Sequence, residues 1–324
     1  MSTNQNDVKG RILSLDVFRG FAIFGMILVN YLGYFEAMPD TFKHPRYGMT
    51  FANAIAPFFV FAVGMGLRLS LKRRIVKQGS KTAYWHAASR YLILILIGIV
   101  VYGPDPVMDM WDALVDIGFA GLLTLPFIAS SKKVRMIGAL GLLTLYQLIF
   151  VFTGYGAWTM PNSIDGGPLG PISWASILVF GTIQMDYLNE VSAQNFIVKS
   201  LKLGILLMLA GLGISFLQPM ELWEMSQRSM TIAYPLFASG LSMLTFLLFY
   251  ILADMRKIKV PHMAVLGMNP LVIYIIQQVL IEFYGDLLPK SAHWSLAILG
   301  FLAIYSICFL IARYLYRNKY FIKI

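Results

Sequence analysis

The chain has 324 residues, of which 58% are hydrophobic and only 13% are charged. A mean hydropathy of +0.69 excludes an ordinary soluble domain and indicates a polytopic membrane protein built from helices. The net charge of +10 does not indicate nucleic-acid binding, because the lysines and arginines cluster in every second predicted loop. The single cysteine, Cys308, excludes a disulfide framework within the chain.

Length and hydropathy predict an all-α bundle of about ten transmembrane helices, which form one domain over residues 1–324. The first apolar run is interpreted as a retained helix rather than as a signal peptide, since no small-residue cleavage site follows it. The predicted helical cores are 14–34, 50–71, 88–103, 111–129, 134–153, 171–188, 199–216, 230–252, 263–284 and 294–316.

All but four of the 26 lysines and arginines fall on one predicted side of the membrane. This asymmetry predicts that both termini, residues 1–13 and 317–324, are cytoplasmic. It also predicts a basic cytoplasmic loop at 72–90 and a Gly/Pro-rich extracytoplasmic loop at 154–171. The four exceptions, on the outer side, are Lys43, Arg46, Arg228 and Lys290.

The first predicted span carries three polar residues on one face. Asp16, Arg19 and Asn30 fall within about 60° of one another on a helical wheel. Ionisable groups inside a span are costly and indicate a functional path, although a buried Asp–Arg pair that only fixes helix packing is equally consistent with the pattern. The loop that follows this span ends in His44.

The second predicted span contains Pro57, which removes the hydrogen bond to the carbonyl of Asn53. A kink there is one interpretation, and a proline whose lost bond is replaced by a neighbouring helix is the other. The basic loop that follows includes Arg73 and Arg74. Such a loop binds either a polyphosphate ligand or anionic lipid headgroups.

Four aspartates, Asp105, Asp109, Asp112 and Asp116, recur at spacings of three and four residues. On a helix that begins near Pro106 they form an acidic ridge, which attracts a cation or an amine. The alternative is that acids in a first helical turn complement the helix dipole.

The ninth predicted span opens with Asn269 as its N-cap and Pro270 at its first helical position. The sequence contains no nucleotide-binding P-loop and no cluster of metal-ligand residues. We therefore predict no metal cofactor.

The stretch SLDVFRG, MILVNYLGYF and FKH, followed by PFFVFAVG, resembles the catalytic region of the heparan-α-glucosaminide N-acetyltransferase family of transmembrane acyltransferases. RYLILILIGIV, GPLG, GMNPLVIY and LYRNKYFIKI match in the same order along the chain. The resemblance implies transfer of an acetyl group from cytoplasmic acetyl-CoA to a sugar or glycan acceptor on or across the membrane. It implies that His44 is the base or acyl carrier and that Asn30 accompanies it.

From this resemblance we expect one set of residues to hold acetyl-CoA and another to hold the acceptor. The expected acetyl-CoA residues are Asp16, Arg19, Arg73, Arg74 and Asn269. The expected acceptor residues are Asn53, Asp112 and Asp116. The expected partners are the lipid bilayer, acetyl-CoA and the sugar acceptor, without nucleic acid; a homodimer is also an expectation, and the expected location is a bacterial cytoplasmic membrane.

The sequence departs from the family pattern at several positions. Asn53 stands where the family usually has an acid, and Arg46-Tyr47-Gly48 stands where it has Trp-Asn-Gly. Two other readings therefore remain open: a transporter or flippase for a small polar or lipid-linked solute, and an inactive relative that keeps the fold.

Overall fold

The computed structural model describes residues 12–322 except 106, 108, 109, 191 and 286. All regular secondary structure in these residues is helical. The α-helices are α1 Leu13–Leu32, α2 Phe51–Gln78, α3 Ser80–Tyr102, α4 Ala113–Thr124, α5 Lys132–Phe152, α6 Tyr155–Asn162, α7 Gly170–Glu190, α8 Ala193–Ile214, α9 Ala233–Phe249, α10 Pro261–Leu266, α11 Pro270–Gly285 and α12 Trp294–Arg317. Short 3-10 turns lie at Asp40–Phe42, Leu125–Phe127, Gly167–Leu169 and Met220–Leu222, and a π-helical segment, Tyr250–Met255, extends α9.

Within the described residues, seven helices are long and apolar enough to cross a membrane, namely α1, α2, α3, α5, α8, α12 and α9 with its π-helical extension. The pair α6 and α7, bent by 108°, raises this number to eight if it counts as one span. The stretches Ala113–Phe127 and Pro270–Phe283 are apolar but shorter. The multi-pass membrane architecture is therefore confirmed, while a count of ten spans and the side of each terminus stay predictions.

Helices α1, α2 and α7 form the centre of the bundle. Helix α2 packs against α1, α3, α7 and α9. Two glycines let α2 and α7 approach backbone to backbone, because a Cβ at Gly64 would overlap the carbonyl oxygen of Leu178 and one at Gly181 would overlap that of Phe61. Helix α2 is thereby held in a fixed position against α7, and its first turn, together with the last turns of α1, contributes to the site described below.

Residues 72–90 are helical, so their prediction as a loop is wrong. Helix α2 continues to Gln78 and α3 begins at Ser80, with only Gly79 between them. Residues 72–78 contain neither glycine nor proline, and lysine and arginine are good helix formers, so nothing in this stretch ends the helix. Gly79 has a φ of +82°, which allows the chain to reverse in one residue.

The segment 154–171 is also folded rather than an open loop. It contains α6 and the 3-10 turn Gly167–Leu169, and left-handed glycines at 154 and 166 provide the turns that a loop prediction rests on. The hydroxyl of Tyr155 donates a hydrogen bond of 2.6 Å to the carbonyl of Gly166. The indole of Trp174 donates one of 3.1 Å to the carbonyl of Asp165. Residues 163–166, here named the α6–α7 turn, are thus held against the bundle.

Candidate functional site

A cavity of about 400 Å³ lies where the ends of α1, α2, α4 and α11 meet the loops around His44, Asp165 and Gln227. Four of the predicted site residues line it: Asn30, His44, Asn53 and Asp112. They come from α1, from the loop after it, from α2 and from the residue before α4. Asp165, Gln227, Arg228 and Tyr274 also line this cavity, and we name it the His44 cavity.

His44 stands at one end of a chain of hydrogen-bonded amides. The amide nitrogen of Asn53 is 3.4 Å from Nδ1 of His44 and donates a 2.9 Å hydrogen bond to Oε1 of Gln227. The amide nitrogen of Gln227 in turn donates a 2.5 Å bond to the carboxylate of Asp165. Asn53, Gln227 and Asp165 are all buried. The imidazole is therefore connected, through two amides, to a buried acid.

The direction of these hydrogen bonds follows from the backbone. The N–H of Thr50 can only donate, and it donates to Oδ1 of Asn53 at 3.1 Å. The amide nitrogen of Asn53 must then face His44 and Gln227. An N–H group beside Nδ1 favours a neutral imidazole whose Nδ1 carries a lone pair. An acid at position 53 would instead favour the tautomer that carries its proton on Nδ1. The departure from the family pattern at this position therefore changes which ring nitrogen of His44 carries the lone pair.

Pro57 explains a second contact of Asn53. The carbonyl of Asn53, which loses its helical partner to Pro57, accepts a 2.8 Å hydrogen bond from the hydroxyl of Tyr234 on α9. Helix α2 remains one continuous helix. Of the two interpretations, replacement of the lost bond by a neighbouring helix is the one that the structure shows. This bond fixes the first turn of α2, and Asn53 with it, against α9.

Residues 224–231, here named the Gln227 loop, are tied to the α6–α7 turn and to the His44 loop. Gly166 N–H donates to the carbonyl of Arg228 at 3.1 Å, and the Arg228 guanidinium donates to the carbonyl of Ser163 at 3.1 Å. The hydroxyl of Ser226 donates to the carbonyl of Arg46 at 2.8 Å. These bonds connect three segments that are distant in sequence, so the amide chain beside His44 has a rigid support.

The environment of His44 lowers its pKa below the ordinary value of 6.5. The largest cause is desolvation by the surrounding protein, although the residue keeps an exposed edge at the cavity mouth. A hydrogen bond that the imidazole donates to the Gln227 side chain opposes this shift in pKa, and the charge of Arg228 adds to it. The imidazole is therefore mainly neutral at pH 7, as a proton acceptor must be.

Asp112 caps α4, since its carboxylate accepts a 2.5 Å hydrogen bond from the N–H of Ala113. Burial raises the pKa of Asp112, while this hydrogen bond lowers it. Asp116 follows one turn later, is 2% exposed, and has no hydrogen-bond partner among the described residues for either carboxylate oxygen. Asp165 and Asp112 are the charged groups that act on it.

The predicted four-aspartate ridge is wrong, because the helix begins at Ala113 rather than near residue 106. Asp105 precedes the helix and accepts a hydrogen bond from the N–H of Val107, while Asp109 lies outside the described residues. Only Asp112 and Asp116 share α4. The early-turn interpretation is correct for Asp112, whose carboxylate caps the helix.

The residues expected to hold acetyl-CoA do not line the His44 cavity. Asp16 and Arg19 lie in the first two turns of α1, and Arg73 and Arg74 are exposed on the last turns of α2. Asn269 is buried and holds the C-terminal tail, since its amide donates to the carbonyl of Tyr320 and accepts from the N–H of Ile322, both at 2.9 Å. Asn269 does stand at the predicted N-cap position, with Pro270 first in α11, but its side chain holds the tail instead of capping the helix.

A buried ion-pair network joins α2, α5 and α7 at the same end of the bundle as Arg19. The carboxylate of Asp186 pairs with Arg68 at 2.9 Å, with Lys72 at 2.7 Å and with Arg135. Arg68 also donates a 2.7 Å hydrogen bond to the carbonyl of Ile128. Removing Asp186 would leave Arg135 buried without its counter-charge, a change that is strongly destabilising.

Sequence reasoning missed this network and also missed Gln227. Asn53 and Gln227 are 174 residues apart, and an amide in a loop has no periodicity or spacing that connects it to a distant helix. Arg68 and Asp186 did carry a usable signal, because each is an ionisable residue near the end of a predicted span and such residues usually pair.

Residues 11–187, more than half of the chain, match the family model described as "Heparan-alpha-glucosaminide N-acetyltransferase, catalytic". The chain is 36% identical over 106 residues to heparan-alpha-glucosaminide N-acetyltransferase of Homo sapiens and 33% identical over 106 residues to that of Mus musculus. Each alignment covers 32% of this chain but only 16% of the relative.

A bacterial relative aligns over a longer stretch. An "Uncharacterized 39.9 kDa protein in amylase 3'region" of Bacillus acidopullulyticus is 30% identical over 132 residues, which is 39% of this chain and 36% of that protein. The family match includes α1, the His44 loop and α2, which carry Asn30, His44 and Asn53. The chain belongs to the heparan-alpha-glucosaminide N-acetyltransferase catalytic family.

Proposed function

We propose that this protein is a membrane acyltransferase that moves an acetyl group from cytoplasmic acetyl-CoA to an amine or hydroxyl of a sugar or glycan acceptor. The observation that carries the proposal is the meeting of His44, Asn30 and Asn53 in one cavity, within the part of the chain that matches the family. An imidazole that is neutral near pH 7, beside an amide, is a suitable constellation for acyl transfer.

In the direct form of the reaction, a nitrogen of His44 takes the proton of the acceptor amine or hydroxyl. The acceptor atom then forms a bond to the thioester carbonyl carbon, and the carbon–sulfur bond breaks to release the CoA thiolate, which takes up a proton. In the two-step form, the imidazole itself carries the acetyl group between donor and acceptor. In both forms the amide of Asn30 donates to the carbonyl oxygen as negative charge develops on it.

The acceptor side of the proposal uses the acids of the His44 cavity. Asp112 lines the cavity directly. The buried carboxyl group of Asp116 is close enough to Asp112 for the two to interact electrostatically. Both ends of the Asn53 amide are used in the amide chain. We therefore propose that Asn53 acts on the acceptor mainly by positioning His44 beside it. Carboxylates at this place attract an amine acceptor.

On the donor side, the guanidinium of Arg19 lies over Gly66 and forms no hydrogen bond with another described residue. Arg90 is close enough to repel it electrostatically, while Asp16 attracts it. The buried Nε of Arg90 also has no hydrogen-bond partner in the described part of the chain. Two adjacent guanidinium groups with unused donors suit phosphate oxygens.

We therefore propose that Arg19, oriented by Asp16, and Arg90 bind phosphates of CoA, together with the exposed Arg73 and Arg74. Asn269 is left out of this set, because both ends of its amide are bound to the C-terminal tail.

The proposed function is tested by measuring acetyl transfer directly. Purified protein in nanodiscs should move the label of [14C]acetyl-CoA to an amino sugar, or hydrolyse acetyl-CoA slowly without an acceptor. A transporter or an inactive relative should do neither, so the absence of both reactions over a panel of amino and neutral sugars would reject the enzyme proposal. A label that remains on the protein without acceptor, and is released by hydroxylamine, would select the two-step form.

The topology of the proposal has its own prediction. The charge asymmetry of the sequence places the loop of residues 35–49 outside a bacterial cytoplasmic membrane. The side chain of Asp40 is 93% exposed, so an Asp40→Cys variant in a Cys308→Ala background should react with an impermeant maleimide in intact cells. A Lys77→Cys variant, on the opposite end of α2, should react only after lysis. The reverse pattern would contradict the proposed orientation.

A further inference from the structure

An apolar groove of about 620 Å³ lies beside the His44 cavity, between α1 and α2 on one side and α8 and α9 on the other. Its walls are one face of α2, formed by Phe51, Ala54 and Phe58, and one face of α9, formed by Phe237, Leu241 and Thr245. The two faces span eight and nine residues, so the groove runs roughly 12 Å along the helices. Leu212 on its edge is 42% exposed, so the groove is open on the side facing the bilayer.

One end of the groove reaches the loop that carries the site. Gly48, Met49 and Thr50 form this end, and the groove then descends past Phe58 toward the middle of the bundle. In the proposed topology this end lies at the outer membrane surface. The groove is thus oriented like a lipid, with its loop end at the headgroup level and the rest at the depth of the hydrocarbon chains.

The side-chain amide of Asn53 links the rim of the groove to the His44 cavity. The hydroxyl of Thr50, on the rim of the groove, donates a 2.9 Å hydrogen bond to Oδ1 of Asn53. The nitrogen of that same amide is 3.4 Å from Nδ1 of His44. Ala54 faces the groove, while Ala52 and Asn53 face the cavity. A headgroup at the rim of the groove is therefore beside the reacting imidazole.

Positive charge lies at the same end of the groove. Arg46 is exposed two residues before Gly48, and Ser226 ties its backbone to the Gln227 loop, which also supplies Arg228 to the cavity and Met225 to the groove. Arg46 thus lies near the loop end of the groove, with its guanidinium over the ring of Tyr47, and Arg228 lines the cavity. This arrangement fits a ligand that joins an apolar tail to a sugar through an anionic link.

We propose that this groove holds the hydrocarbon chain of a lipid-linked sugar and thereby presents the sugar to His44. The inference rests on the proposed acyltransferase function and names the class of its acceptor. A chain moving from the bilayer into the groove gains little hydrophobic free energy, because lipid tails are as apolar as the groove walls. The groove acts instead by orientation, since it fixes the headgroup next to the imidazole.

The first test is photolabelling, which requires no catalysis. The probe is a glucosaminide with a twelve-carbon chain that ends in a diazirine, reconstituted with the protein in nanodiscs. Label should concentrate on the groove faces of α2 and α9, and His44→Ala should retain it. Label spread evenly over lipid-facing helices such as α3 and α12 would overturn the proposal, because ordinary boundary lipid gives that result.

The second test compares two tryptophan variants on the same helix. Leu241→Trp fills the groove, whereas Leu248→Trp adds the same side chain at a lipid-facing position that is 53% exposed. Leu241→Trp should raise the KM for the dodecyl glucosaminide about tenfold, because the indole takes the place in which the chain orients the headgroup, and leave the KM for the methyl glucosaminide unchanged. Leu248→Trp should change neither KM value. Because the dodecyl probe partitions into the same membrane in both experiments, a difference between the two variants reports on the groove.

Failure of this inference differs from failure of the enzyme proposal. Normal transfer with equal KM changes in the two tryptophan variants, or for the two glucosaminides, would overturn the groove assignment and leave the acyltransferase intact. Absence of transfer to every acceptor would reject the enzyme, and the photolabel would still decide whether the groove binds a chain. Thr245→Phe provides a second blocked variant should Leu241→Trp not fold.

Discussion

Replacement of His44 by alanine should lower the rate of acetyl transfer by about 10²–10⁴-fold, the usual loss when a positioned acid–base group is removed. The binding of CoA should persist, because the proposed phosphate ligands Arg19 and Arg90 lie on other elements, at the far end of α1 and on α3. His44 keeps an exposed edge and anchors no element of the core, so the folded state should survive the substitution. Steady-state transfer of labelled acetyl groups and CoA binding by calorimetry measure the two effects separately.

A second histidine provides the control for this prediction. His86 is exposed on α3, far from the His44 cavity in the sequence and absent from its lining, and His86→Ala should transfer at the wild-type rate. Free imidazole in the buffer should restore part of the activity of His44→Ala, because the substitution opens space for it at the cavity mouth. Near-normal turnover by His44→Ala would show that the site is elsewhere.

The pH profile tests the state of the imidazole. Because desolvation lowers the pKa of His44 below 6.5 and the neutral ring is the reactive form, the midpoint of the acid limb of kcat/KM should lie below pH 6.5. Asn53→Asp places a carboxylate beside Nδ1, which stabilises the imidazolium and raises the pKa of His44. The acid limb of the Asn53→Asp profile should therefore move to higher pH. Identical acid limbs in the two proteins would mean that His44 does not titrate in the reaction.

The sequence was sufficient to predict the helices and half of the site. Each of the ten predicted stretches contains helix, although Ala113–Phe127 and Pro270–Phe283 are shorter than a membrane span requires. The polar face of α1 and the loop after it led to Asn30 and His44, which do line one cavity. These predictions succeeded because they depend on local pattern and on the continuity of a single helix.

The remaining features depend on contacts between distant segments. Asn53 bonds to Gln227, and Gln227 bonds to Asp165. The loops that bring them together are held by bonds such as that from the hydroxyl of Tyr146 to the carbonyl of Ser229, at 2.7 Å. No periodicity in the sequence encodes that packing. The loop predictions failed for a related reason, because charge and glycine content mark the membrane surface without indicating where a helix ends.

The amide of Asn30 supports a second large effect. Asn30 lines the His44 cavity from α1 and forms no hydrogen bond with another described residue, in contrast to Asn53, whose amide is fully used. An amide donor without a partner among the described residues, facing the cavity that holds His44, is free to bind the carbonyl oxygen of a thioester. Asn30→Ala should then lower kcat by about 10²–10³-fold, the loss measured for single donors to an oxyanion.

The partition of this effect between kcat and KM identifies the role of the residue. A donor that acts on developing negative charge stabilises the transition state alone, so Asn30→Ala should reduce kcat and leave both KM values within about twofold. Asn30→Ser keeps a shorter donor and should recover part of the rate. Asn162→Ala removes an amide that lies outside the His44 cavity and donates a 2.8 Å hydrogen bond to the carbonyl of Trp158, and it should have no effect. A rise in the acceptor KM with kcat unchanged would instead make Asn30 a sugar-binding residue. A contact that holds the sugar equally in the ground state and in the transition state affects KM but not kcat.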